Sequence, residues 1–128
     1  MLFRSDNRTA GFRIVGHGPS LRIECRAPGA DANPYLAFAA TIAAGLHGID
    51  KKLKPPRLYD GNAYEDPKLT QVPKTLREAL DALERSKVAR EALGETVVKH
   101  YLHHGRLEQQ AFDQAVTDWE LTRLFERI

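Results

Sequence analysis

The sequence predicts an α+β fold: an arginine-rich β-hairpin from a larger antiparallel sheet, a buried helix and a C-terminal helical bundle. Three observations carry this. Phe12–Val15 and Leu21–Arg26 are β-leaning runs on either side of a turn-rich segment. Residues 35–46, YLAFAATIAAGL, are almost wholly apolar. From Thr75 onward, apolar residues recur at helical spacing behind two capping-box signatures.

The hairpin comes first. Leu21-Arg22-Ile23-Glu24-Cys25-Arg26 alternates strictly. On a strand this sends Leu21, Ile23 and Cys25 to a core and lines Arg22, Glu24 and Arg26 along the other face. Gly16-His17-Gly18-Pro19-Ser20 supplies the turn. A two-stranded hairpin is marginal alone in water, and nothing later in the chain reads as a third strand.

Asn33 is a good N-cap with Pro34 at the first helical position, and Gly48 is a plausible stop. Only Thr41 is polar among the first ten residues from Tyr35, and a helix apolar all round is normally buried, although a 128-residue chain with one hairpin can hardly bury it completely. Asp50 to Lys74 holds four of the seven prolines and has no period, so it reads as an extended crossing segment. Thr75-Leu76-Arg77-Glu78 then opens an amphipathic helix with Leu76, Ala79, Leu80 and Leu83 on one face. Ser86 restarts a short helix that ends near Gly94. A long helix runs from about Glu95 to Val116, with Val97, Val98, Tyr101, Leu102, Phe112 and Ala115 among its apolar positions. Thr117 to Glu120 caps a final helix through Phe125, with Val116 and Leu121 placed as a hydrophobic staple.

The chain has 128 residues, enough for one modest domain, and a net charge of +2, which is not a nucleic-acid signature. The distribution says more. Residues 1–26 carry five arginines against Asp6 and Glu24, a balance of +3, whereas the remainder balances at −1. Arginine without lysine suits planar, bidentate contacts to phosphate or carboxylate. The single cysteine, Cys25, excludes an internal disulfide. No run approaches a membrane span and the N-terminus has no apolar signal core, so a cytoplasmic protein with no membrane partner is expected.

Arg22, Glu24 and Arg26 project about 7 Å apart along the strand. A carboxylate between guanidiniums stays ionised and can ligate a hard cation such as Mg²⁺ or Mn²⁺. The arginines can bind the anions that travel with that metal, the combination phosphoryl transfer needs. A surface ion-pair ladder explains the same pattern and stays open. No Walker-type loop or GxGxxG is present.

These residues carry a resemblance. Asn7-Arg8-Thr9-Ala10-Gly11-Phe12-Arg13-Ile14, then Arg22-Ile23-Glu24-Cys25-Arg26, then residues 28–37, PGADANPYLA, resemble the C-terminal part of the glutamine synthetase family. The family pattern has the form NRSAxxRI…RIExR…ANPYLAxAAxLxAGLxGI. The resemblance covers almost the whole chain, to Trp119-Glu120 and Phe125-Glu126-Arg127-Ile128. It implies an ATP-dependent ligase that joins the γ-carboxylate of glutamate to ammonia or another amine through γ-glutamyl phosphate, with two or three Mg²⁺ or Mn²⁺ ions. It further implies a homo-oligomer with the site across a subunit boundary. By the same resemblance, Glu24 matches a metal ligand and Arg26 the arginine that holds the glutamate carboxylate. Arg8 and Arg13 match arginines on the ATP phosphates that stabilise the transferring phosphoryl, Arg8 as the catalytic one. Arg22 matches a further nucleotide-side arginine. The wording GHGPSLRIECRAPGADANPY looks closer to subfamilies that use polyamines or other amines, and the turn from Val15 to Leu21 looks shorter than in the best-known bacterial members.

Residues 1–128 are therefore expected to form the C-terminal part of a catalytic domain, without the family's N-terminal β-grasp domain and first catalytic part. Such a chain is expected to be inactive alone, because one carboxylate cannot hold two or three cations. The alternative is a non-catalytic, truncated module for anion binding or assembly. Elsewhere, His100, His104 and Glu108 share a helical face and read as solvated in preference to a metal stripe. Lys51-Lys52-Leu53-Lys54 reads as the solvated start of a loop, Trp119 as a core anchor, and Cys25 has no histidine partner by motif.

Overall fold

Three short strands, a single 3-10 turn at Gly18–Ser20 and one long helix are the described elements of the first of two units into which the chain divides, Met1–Val72 and Pro73–Ile128. The computed structural model describes residues 3–5, 7–56, 58–125 and 127. Glu126 and Ile128 of the family-like terminus lie outside the described residues.

β1 (Phe3–Ser5), β2 (Phe12–Val15) and β3 (Arg22–Cys25) form one sheet in that order. β2 and β3 are the expected antiparallel hairpin, pairing Phe12 with Cys25, Arg13 with Glu24, Ile14 with Ile23 and Val15 with Arg22. The Arg26 N–H donates to the Gly11 carbonyl at 2.9 Å and extends the ladder by one residue. β1, which the sequence did not announce, pairs parallel to β2 with Phe3 beside Phe12 and Arg4 beside Arg13. Three residues are too few to show an alternation, so its pattern was invisible.

The connection from Val15 to Leu21 is a folded turn. The Ser20 hydroxyl donates to the His17 carbonyl at 2.9 Å, and the His17 N–H donates to that hydroxyl at 3.1 Å. Gly16 has φ +83°, and a Cβ there would lie 2.2 Å from the Ser20 carbonyl oxygen, so only glycine fits.

α1 (Pro34–Asp50) begins as expected. The Asn33 side chain accepts from the Tyr35 and Leu36 N–H groups at 3.0 and 3.3 Å. One expectation is corrected. The helix does not stop at Gly48 but continues to Asp50, and Lys52 takes the left-handed φ of 50° beyond it. The helix is apolar but left uncovered, in line with the expectation that 128 residues with one hairpin can hardly bury it. None of its residues is buried, and Tyr35, Phe38, Ile42, Leu46 and Ile49 stand 56–84 % exposed. The hairpin's apolar face is likewise open, with Leu21 and Ile23 each 61 % exposed. The physical reason is shared: no described residue lies over these side chains in sufficient number to exclude water.

The second unit holds α2 (Leu76–Arg85), α3 (Lys87–Leu93), α4 (Glu95–Gln114) and α5 (Asp118–Leu124). α2 and α3 both pack on α4. Leu80, Val98 and Leu102 form the core, with Leu83, Ala89 and Leu93 packed against it. Gly105 completes the α4 stripe after Val98 and Leu102, and is buried. A Cβ on Gly105 would lie 2.5 Å from Leu80 Cδ2, which explains a glycine inside a helix.

The caps are set by side chains. Thr75 Oγ1 accepts from the Glu78 N–H at 3.2 Å, but Glu78 Oε2 turns outward to the Lys74 N–H at 2.8 Å. The expected reciprocal box is therefore displaced by one residue. Ser86 caps α3, accepting from the Ala89 N–H at 3.1 Å. Before α5, the Thr117 N–H donates to Glu120 Oε2 at 2.7 Å. Val116 and Leu121 remain 70 % and 49 % exposed. Trp119 is not a core anchor: it is 68 % exposed, with the Arg123 guanidinium 5.5 Å from its ring centre.

Candidate active site

Arg13 and Glu24 are register partners on adjacent strands, so their side chains leave the sheet on one face. The Arg13 guanidinium donates to Glu24 Oε2 from Nε at 3.0 Å and from Nη2 at 2.6 Å. Arg22, two residues back along β3, donates from Nη2 to Glu24 Oε1 at 3.1 Å. Each carboxylate oxygen thus faces its own guanidinium. A weaker bond from Arg22 Nη1 to the Ser20 carbonyl, at 3.4 Å, ties the cluster to the turn. The exposed fractions are 15 % for Arg13, 30 % for Glu24 and 60 % for Arg22.

The hydrogen bond from Arg13 holds the Glu24 carboxyl below its ordinary value near 4.5. The charges of Arg13 and Arg22 add to this, while partial desolvation opposes it. Because the folded carboxyl titrates below the unfolded one, its pairing stabilises the hairpin at pH values above 4.5. That contribution is lost as pH falls through the lowered folded value. Acid titration of wild type followed by amide chemical shifts in β2 and β3 should show a hairpin transition below the ordinary carboxylate range. Glu24→Gln should lose that transition, and a variant titrating like wild type would refute the assignment.

The expected row of Arg22, Glu24 and Arg26 is met only in part. Glu24 pairs with Arg22 and with the cross-strand Arg13, and Arg26 is outside the cluster. Directly opposed side chains on paired strands lie about 5 Å apart at Cβ, closer than neighbours two along one strand. Arg26 follows β3, is exposed, and has no hydrogen bond or ion pair from its guanidinium to any described residue. Arg8 lies on the turn between β1 and β2, exposed and equally without a guanidinium partner among the described residues.

Two residues that the sequence did not single out hold that turn. Asn7 and Thr9 flank Arg8 and bond to each other: Asn7 Oδ1 accepts from the Thr9 N–H at 2.9 Å and from its hydroxyl at 2.8 Å. An Asn two residues before a Thr is an Asx-turn signal, and that local signal was there to be read.

As a donor set, the cluster fits one ligand of a divalent cation. Glu24 offers ionised, hard, partly exposed oxygens. Among the described residues no group of three His, Cys, Asp or Glu is gathered for a metal, so Glu24 does not complete a coordination sphere there. His100, His104 and Glu108 do not form such a group either, and the His100 ring sits edge-on to Tyr101 with centres 5.4 Å apart.

This fold and this site define a domain type. The family described as "Glutamine synthetase, catalytic domain" matches residues 1–124. The chain belongs to the glutamine synthetase catalytic-domain family. A gamma-glutamylethanolamide synthetase of Streptomyces coelicolor is 55% identical over 123 residues, covering 96% of this chain and 26% of the relative. The glutamine synthetase of Thermus thermophilus is 42% identical over 127 residues, covering 93% and 28%. The solved structure of apo GmaS without ligand superposes with a TM-score of 0.84 at 32% identity, over 98% of this chain and 30% of that one. The chain thus spans about a quarter of the length of the curated relatives it matches. No helix among the described residues is long and apolar enough to cross a membrane.

Proposed function

We propose that residues 1–128 supply one wall of the active site of an ATP-dependent ligase that joins the glutamate γ-carboxylate to ammonia or another amine through γ-glutamyl phosphate. The observation that carries this is the Arg13–Glu24–Arg22 cluster, built from the family's motif residues, with the Arg8 and Arg26 guanidiniums unpartnered among the described residues. In this reading Arg8, Arg13 and Arg22 bind the ATP phosphates, and Arg8 stabilises charge on the transferring phosphoryl. Arg26 binds the glutamate carboxylate in a bidentate fork. Glu24 is one ligand of Mg²⁺ or Mn²⁺, which when bound neutralises phosphate charge. A relative named for gamma-glutamylethanolamide synthesis supports an organic amine as a candidate acceptor beside ammonia. A cytoplasmic, homo-oligomeric setting belongs to the same reading.

One carboxylate does not hold the two or three cations of this reading, so the remaining ligands come from outside residues 1–128, and this stretch alone does not catalyse. Calorimetry of residues 1–128 with Mg²⁺ and ATP is expected to show affinity weaker than micromolar, and no phosphate release with glutamate and an amine. Micromolar affinity that vanishes in Arg8→Ala or Arg13→Ala would overturn the incompleteness. Weak ATP binding indifferent to all of Arg8, Arg13 and Arg22 would overturn the phosphate roles.

A further inference from the structure

The described residues between α1 and α2 contain no helix or strand, yet residues 59–66 are not slack. The Tyr59 hydroxyl donates to Asp66 Oδ2 at 3.1 Å and closes the loop. Inside it, Asn62 Nδ2 donates to Glu65 Oε1 at 2.7 Å, and the Tyr64 N–H donates to Asn62 Oδ1 at 3.1 Å. The loop is a preformed clip.

The clip grips the turn that carries Arg8. Asn7 Nδ2 donates to the Gly61 carbonyl at 3.0 Å, across 54 residues of chain. The Ala63 N–H donates to Thr9 Oγ1 at 2.9 Å. The Tyr64 hydroxyl reaches the Arg8 carbonyl at 3.5 Å. Ala10 and Ala63, 3 % and 9 % exposed, are buried beside these bonds. The chemistry is specific at both positions. Thr9 Oγ1 gives its proton to Asn7 Oδ1 and so presents only lone pairs to Ala63. Asn7 must accept and donate at once, which aspartate cannot do.

Arg8 therefore has a backbone held on both sides and a guanidinium that is exposed and unpartnered among the described residues. A fixed root lowers the ordering needed when such a side chain meets an anion. We infer that Asn7 and Thr9 are positioning residues for Arg8, held by the 59–66 loop, an inference that rests on the reading of Arg8 as a phosphate-binding group.

The test uses the 128-residue chain and two readouts. Hydrogen exchange at the Thr9 and Ala63 amides reads the clip. The shift of the Arg8 Nε–H signal on adding inorganic tripolyphosphate reads its use. Thr9→Val and Asn7→Ala are each expected to speed exchange and weaken tripolyphosphate binding about fivefold, the size of one net hydrogen bond. Thr9→Ser should restore both. Tyr59→Phe, which cuts the loop's closing bond away from the turn, should act in the same direction less strongly and guards against a misfolded turn variant. Unchanged binding in Thr9→Val and Tyr59→Phe, beside loss in Arg8→Ala, would overturn the positioning role and leave the phosphate reading standing. No Arg8 response in wild type would overturn the phosphate reading and the inference together.

Discussion

Leu102→Ala is expected to destabilise the helical unit by about 2–5 kcal/mol, the usual cost of emptying a buried leucine site. Leu102 is 4 % exposed and shares its cluster with Leu80 and the 1 %-exposed Val98. No other buried cluster among the described residues supports this unit. A unit of this size has a total stability on the order of 3–8 kcal/mol, so the substitution removes a large share of it. Urea unfolding followed by helical circular dichroism reads the effect. Leu107→Ala, at a side chain 50 % exposed on the same helix, is the control and should shift stability by less than about 0.5 kcal/mol. Equal losses in the two variants would show that the core is misplaced.

Glu24→Gln is expected to have opposite effects on two ligands. The amide keeps the shape but removes the negative charge that Arg13 and Arg22 now neutralise. Without metal, tripolyphosphate binding should tighten about tenfold, because the guanidiniums no longer share a carboxylate and the anion no longer meets a like charge. Any enhancement of that binding by Mg²⁺ or Mn²⁺ should disappear, because a neutral amide is a poor ligand for a hard cation. Titration with and without metal separates the two effects. Unchanged anion binding in both conditions would remove the ion-pair cluster from the site.

Most elements were legible because their signals are local. Asn33-Pro34, Thr75, Ser86 and Thr117 each mark a helix start where the structure places one. The alternation of residues 21–26 located the second hairpin strand, and the resemblance to the glutamine synthetase family supplied the fold. Less legible were features that depend on partners far along the chain. The pairing of Arg13 with Glu24 needs the hairpin register, which alternation alone does not set. The grip of Gly61 and Ala63 on Asn7 and Thr9 spans 54 residues with no pattern joining them. Burial was misjudged for Leu21, Ile23 and Trp119, because an apolar pattern reports which face seeks cover and not whether these residues provide it.

Both ends of α1 are tied by hydrogen bonds. Asn33 occupies two of its leading N–H groups, Pro34 has none to satisfy, and the Thr41 hydroxyl donates to the Ala37 carbonyl at 2.7 Å. At the far end the Lys51 N–H returns to the His47 carbonyl at 3.0 Å. Covering its apolar flank would therefore break no side-chain hydrogen bond in that stretch, so apolar area covered there would carry no polar penalty from it.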